Sequence, residues 1–334
     1  MISCFLSRKR FPRRSTLPFD YYGFITFAIF ISCLLIALTL GPIKATSEGW
    51  RTPYILALFG VAALSFILCI IVESKHPAPL FPLRLFKDPI FSVSLMAMFL
   101  IGMGIFAGLA ITVEYMLSGL LYEKYTIGKI ASIYGITIGA FSILSNYLAK
   151  VLPLPILTLS GLTFLIFSYF FSNELSWLTG YSQVIPILLM RGIGIGLALG
   201  PTTTMALAHI PIEFQTSAAI VVTFFRQLGA TYGGTLISIF SIQRTIFHTA
   251  RFGAEVNLHL PAYQKTMKNL TSKFPNAVEA KYAIIENIQR QAHIQGINDA
   301  LMIFGYVTAF FTVILFILII HRGLSTRKAK TAMN

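Results

Sequence analysis

Eight stretches of this chain run for about 20 residues with few charges, near 21–40, 53–72, 90–117, 127–149, 153–172, 183–207, 215–240 and 298–320. A helix of that length matches the roughly 30 Å hydrocarbon core of a bilayer. Inside lipid every backbone N–H and C=O must be paired, which a helix does within its own segment. Charged residues make up only 11% of the chain and hydrophobic ones 56%, where a soluble domain is about one quarter charged. These features define an all-α, polytopic membrane helical bundle of eight expected spans.

The formal net charge is +14. Most of the basic residues lie beside apolar spans, where anionic headgroups and the positive-inside bias account for them. No basic face with interleaved aromatics points to nucleic acid. Arg8, Lys9, Arg10, Arg13, Arg14, Lys75, Arg84, Lys87, Lys150, Arg322, Arg327, Lys328 and Lys330 fall on one side of the eight-span arrangement. Lys44, Arg51, Lys124 and Lys129 fall on the other. That asymmetry puts both termini in the cytoplasm and the long connection 241–297 outside. Within it, 277–295 has the pattern of a surface-lying amphipathic helix or of a solvated one, and both readings stand. Residues 1–20 are basic without a long apolar core, unlike a cleavable signal peptide. Cys4, Cys33 and Cys69 lack metal-ligand spacing, and the six histidines are scattered. Neither disulfide, metal site nor cofactor motif is expected.

Two spans carry an arginine followed by glycines: RGIGIGLALGPTTT from Arg191, and TFFRQLGATYGG around Arg226. A cation at bilayer depth costs about 2.5–3.5 kcal/mol on insertion scales, so such a residue is a functional candidate. Arg226 lies near the middle of its span, which favours a buried guanidinium held by a carboxylate or by carbonyls of another helix over snorkelling. Arg191 is nearer a span end, and burial and reach to the headgroups are both open. Gly192, Gly194, Gly196 and Gly200, and Gly229 with Gly233, offer small-residue packing faces. Pro201 is expected to kink the sixth span, with Thr202, Thr203 and Thr204 bonding back to helix carbonyls. Glu114 is either a proton-binding carboxylate or an interfacial one. The aromatics of the third, fifth and seventh spans either line an apolar pocket or simply pack and face lipid. Asn269-Leu270-Thr271 is a glycosylation sequon where the cell uses one.

The run RGIGIGL…GPTTTMAL…FFRQLGATYGG resembles the major facilitator superfamily, and within it the fourteen-span drug:proton antiporters of the EmrB/QacA type. Their late spans carry R-G-x-G-x-G…P-x-T and N-x-x-R-Q-x-G-x-S-x-G, with Thr223 standing here where that asparagine falls. Asp20-Tyr21-Tyr22-Gly23, Gly49-Trp50, the segment from His76 to Phe81 and Leu83-Arg84-Leu85-Phe86-Lys87 extend the similarity. By that mapping the eight spans correspond to the seventh through fourteenth. Residues 1–20 form a basic cytoplasmic segment, 21–73 the extra central pair, 90–320 the six-span C-terminal bundle with its outward loop 241–297, and 321–334 a basic tail.

The resemblance implies an inner-membrane multidrug efflux transporter, not an enzyme, exchanging protons for amphipathic drugs. Arg226, Arg191, Glu114 and Thr223 are its candidate pathway residues. It implies dependence on a separate N-terminal six-span half or on a second copy. In a Gram-negative cell it further implies a periplasmic adaptor and an outer-membrane channel. The alternatives are a non-transporting remnant of a split gene and a membrane-embedded enzyme. The latter calls for clustered polar residues at one interface, which the sequence does not display.

Overall fold

The structure, a computed structural model, describes residues 20–43, 51–75, 83–208, 210–255, 264–265, 267–268 and 277–332. The 1–19 segment, Gly49-Trp50, the stretch from His76 to Phe81, the sequon at Asn269 and the side chains of the basic tail lie outside the described residues. Every regular element described is helical. In chain order these are α1 (Tyr21–Ile43), α2 (Pro53–Lys75), α3 (Pro89–Glu114), α4 (Lys124–Leu148), α5 (Leu154–Phe171), α6 (Tyr181–Leu207), α7 (Gln215–Glu255) and α8 (Ala277–Ala332). A short 3-10 turn at Leu83–Lys87 precedes α3, and a π turn at Tyr115–Gly119 closes it.

Seven of these helices are long and apolar enough to cross a membrane. The eighth expected span, α7, has the length, 41 residues, but is not among those seven. The count of eight self-sufficient apolar spans is thus corrected to seven plus one helix of mixed character. Thr216, Thr223, Arg226, Gln227 and Thr231 are what dilute α7. The connection expected over 241–297 is also helical at both ends, since α7 continues to Glu255 and α8 begins at Ala277. At 1.5 Å per residue the 56-residue α8 is about 84 Å long. Both final helices therefore outrun a bilayer.

The chain divides into two compact units, one ending at Arg84 and one beginning at Leu85. In the first, α1 packs on α2, with Phe30 and Phe66 rings 4.9 Å apart. Asp20 starts α1 by accepting the Gly23 N–H at 2.8 Å, a helix N-cap. A side chain at position 23 would run into the Asp20 and Glu73 carboxylates, which explains the D-x-x-G pattern physically.

In the second unit α6 lies between α4 and α5, while α7 lies between α3 and α8. The two trios join where α3 meets α6 and α5 meets α8. Small residues set these spacings. Gly192, Gly196 and Gly200 recur every four residues along α6 and meet Thr137, Phe141 and Asn146 of α4. Gly194 of α6 and Gly161 of α5 each lie against the other's backbone carbonyl. Gly229 and Gly233 of α7 meet Phe99 and Met103 of α3, and Gly102 of α3 meets the Arg226 carbonyl in return. In lipid no hydrophobic drive brings helices together, so close backbone approach is what supplies packing energy.

Candidate functional site

Arg191 is fully buried, at 0% exposure. The reading in which it reaches headgroups is therefore set aside. Its guanidinium is held by α3 and by the C-terminal end of α5. Nε donates to Ser168 Oγ at 3.3 Å and Nη2 to Ser172 Oγ at 3.2 Å, both at the far end of α5. Nη1 donates to the Gly108 carbonyl at 2.5 Å and to Thr112 Oγ1 at 2.9 Å on α3. The Tyr169 ring lies under the cation, 5.0 Å from its centroid. Each hydroxyl is aimed by its own helix: Thr112 donates to the Gly108 carbonyl, Ser168 to that of Leu165 and Ser172 to that of Ser168. Their protons are thereby committed, and lone pairs face the arginine. Gly108 is required here because a Cβ would overlap the arginine chain. Beside the site, Tyr134 of α4 donates to the Gly104 and Ile105 carbonyls of α3.

No carboxylate meets Arg191 among the described residues. The cation is solvated by oriented dipoles and one aromatic face, which the planar five-donor guanidinium suits and an ammonium does not. Sequence reasoning singled out the arginine but not its ligands, because serines and threonines at helical spacing are too common in membrane helices to stand out.

Arg226 differs from expectation. It is only half-buried, and no hydrogen bond or ion pair reaches its guanidinium among the described residues. Its backbone carbonyl, set against Gly102, is its contact with α3. Thr223, three residues earlier, and Gln227 are exposed. Thr216, Thr223, Gln227 and Ser238 thus mark an exposed polar face of α7, and Gly234 beside them has open space where a side chain would stand. A face of small and polar residues also runs along α4, where Gly128, Ser132, Gly135 and Gly139 are exposed at alternating spacings of four and three, with Ile143 and then Asn146 exposed beyond them. A Cβ at Gly128, Gly135 or Gly139 meets nothing within 4 Å. Polar, small-residue faces at membrane depth belong against protein or water rather than hydrocarbon.

Glu114 is 44% exposed in its side chain and faces His293 of α8, Nε2 to Oε1 3.5 Å. It is an end-of-span carboxylate. Around Pro201, Thr202, Thr203 and Thr204 donate to the carbonyls of Ala198, Leu199 and Gly200, and Thr202 also pairs with Thr158 of α5 at 3.1 Å. Pro201 lies inside an unbroken α6. The aromatics do line a pocket, of about 400 Å³, but from α3, α7 and α8 rather than α5: Phe86, Leu95, Phe99, Leu100, Phe225 and Phe311 surround it.

One cluster was missed altogether. Asp299 of α8 accepts from Arg244 Nε at 2.6 Å and pairs with His248 Nε2 at 2.8 Å, both from α7. All three lie at or beyond the edges of the apolar runs, where a window read for hydropathy treats them as loop. Among the described residues no group of three metal-ligating side chains occurs.

The fold describes a multi-pass membrane protein built as an all-α helical bundle. In structure it resembles a bacterial homologue of the human lysosomal transporter Spinster, crystallised inward-facing and unoccupied, with a TM-score of 0.51 over 88% of this chain and 67% of that one, at 15% identity. That likeness is one of fold. In sequence it is 24% identical over 276 residues to the uncharacterized MFS-type transporter YhcA of Bacillus subtilis, covering 80% of this chain and 52% of the relative. It is 27% identical over 239 residues to the multidrug transporter protein MdtP of the same organism, covering 70% of this chain and 43% of the relative. The chain thus spans about half the length of the curated relatives it matches. No family model matches it.

Proposed function

We propose that this chain supplies the C-terminal part of a multidrug efflux transporter of the fourteen-span, EmrB/QacA drug:proton antiporter kind, set in the cytoplasmic membrane with both termini inside. The observation that carries the reading is the pair of uncovered polar faces on α4 and α7. A helix too polar to stand alone in lipid, as α7 is, needs a second surface or an aqueous path beside it. Transport by alternating access uses such faces, because one half rocks against the other around a midplane site. The matched relatives, of which this chain covers about half, are consistent with a six-span half on the other side.

In this reading Arg226 and Thr223 lie on the pathway face, and Arg191 holds α3, α5 and α6 as one rigid body. The aromatic pocket between α3, α7 and α8 falls within the size range of small-molecule sites. Its apolar walls suit the ring systems of amphipathic drugs. The test is drug sensitivity in a hypersusceptible host expressing this chain alone, with a six-span N-terminal half, and with that half plus Arg226→Ala. Resistance that needs both parts and falls in the variant supports the reading. No resistance in any combination points instead to a non-transporting remnant.

A further inference from the structure

The seam between α7 and α8 contains chemistry that the proposed pathway does not use. His248 is 6% exposed, Ser241 1% and Asn298 1%. Each has a buried polar atom without a hydrogen-bond partner among the described residues: His248 Nδ1, Ser241 Oγ and Asn298 Oδ1. Buried polar atoms are almost always paired, and three unpaired ones along one seam set it apart from the rest of the bundle. His248 Nε2 is engaged by Asp299 Oδ2 at 2.8 Å, which leaves Nδ1 as the open position on the ring. A neutral imidazole bonded to a carboxylate through Nε2–H carries its lone pair on Nδ1.

We propose that His248 and Asp299 form a proton-binding site, with Nδ1 of His248 as the atom that takes the proton. Uptake turns a hydrogen bond from a neutral imidazole to a carboxylate into an imidazolium–carboxylate pair and breaks no other bond. Arg244, 2.6 Å from the same carboxylate oxygen, keeps Asp299 ionised and acts as a fixed counter-charge. Phe247 and Phe252, with ring centroids 5.3 and 5.7 Å from the imidazole, offer π density to the cation. Among the described residues, Arg244 of α7 is a charged group in contact with the pair, and Arg251 stands one turn beyond His248 on the same helix. The nearby ionisable residues of α8 turn elsewhere, Arg290 to the Gly119 carbonyl and His293 to Glu114. From the end of α5, only the carbonyls of Asn173 and Leu175 reach this turn of α8, and they accept from Asn298 Nδ2.

That last contact gives the site a reporter. Asn298 neighbours Asp299 and donates to the carbonyls of Asn173 and Leu175. Leu175 lies two residues before Trp177, which makes Trp177 fluorescence the readout for the α7–α8 pair. For a transporter this is a proton site on the last two helices, a role that rests on the function proposed above; the protonation itself does not.

The experiment follows Trp177 fluorescence from pH 5 to 8 in the purified full chain carrying Trp50→Phe. One titration step is expected. It should vanish in His248→Gln, which keeps a donor to Asp299 but takes up no proton, and persist in His293→Gln. In Asp299→Asn it should move to lower pH by about one unit or more, the effect of removing an adjacent opposite charge. Absence of the step in the parent, its survival in His248→Gln, or an unmoved midpoint in Asp299→Asn overturns the site. No drug is needed, so this result and the resistance assay fail independently.

Discussion

At the level of single residues the two arginines exchange the roles their positions suggest. Arg191 is the sequestered one because α3 and α5 bring neutral acceptors to it. Arg226 sets its backbone carbonyl against Gly102 of α3, and its guanidinium has no hydrogen bond or ion pair among the described residues. A buried cation costs solvation that dipoles repay only in good geometry, and replacing it with an apolar side chain of similar length is often neutral or stabilising. Arg191→Met is therefore expected to leave thermal stability in detergent within about 1 kcal/mol of the parent. The serine and threonine hydroxyls keep their own carbonyl bonds in that variant. Arg191→Lys retains the charge without the fork that spans α3 and α5, and is expected to melt earlier by about 2–4 kcal/mol of stability, read from denaturation curves of the two variants side by side. A lysine variant more stable than the methionine one would show that charge, not shape, is what the site requires.

For helices as elements, glycine position sorts into two kinds. Gly102 and Gly229 are pressed against the opposite backbone of the α3–α7 pair, whereas Gly128, Gly135 and Gly139 of α4 look into open space. Gly102→Ala or Gly229→Ala is expected to destabilise by about 1–3 kcal/mol through overpacking. Gly135→Ala is expected to leave the isolated chain unchanged or to gain up to about 1 kcal/mol from helix propensity. If α4 docks a second half, the same substitution lowers drug resistance of the assembled transporter without lowering the melting temperature of this chain. Sequence pattern alone singled out Gly229 of these, with Gly233, but not Gly102, the α4 glycines or any partner. Spacing of four residues identifies a face, and only the packed bundle says whether another helix occupies it.

For the whole molecule the uncovered face of α7 predicts where water goes. With Cys4, Cys33 and Cys69 replaced by serine, Thr223→Cys is expected to react with a small hydrophilic thiol reagent in intact membranes. Phe316→Cys, on an exposed apolar face of α8, is expected to resist it. Co-expression of an N-terminal six-span half should protect position 223 in part. Equal labelling at both positions would place α7 against lipid and remove the main support for a pathway there. The lengths of α7 and α8 belong to this scale too, because two helices that outrun the bilayer carry the His248–Asp299 pair where the apolar runs end.

The class of the fold was legible in the order of the amino acids, since a run of apolar residues as long as a bilayer is thick leaves the backbone no alternative to a helix. So were the starts of α1, α3 and α6, the glycine faces of α6 and α7, and a similarity to MFS-type and multidrug transporters. Three things only the tertiary structure decided: which arginine is enclosed, that α7 and α8 extend through most of the expected loop, and that Asp299 meets Arg244 and His248. The reason is common to all three. Hydropathy sums over one segment, whereas the worth of a buried charge depends on oxygen atoms that reach it from other helices, up to 83 residues away in the chain for Arg191.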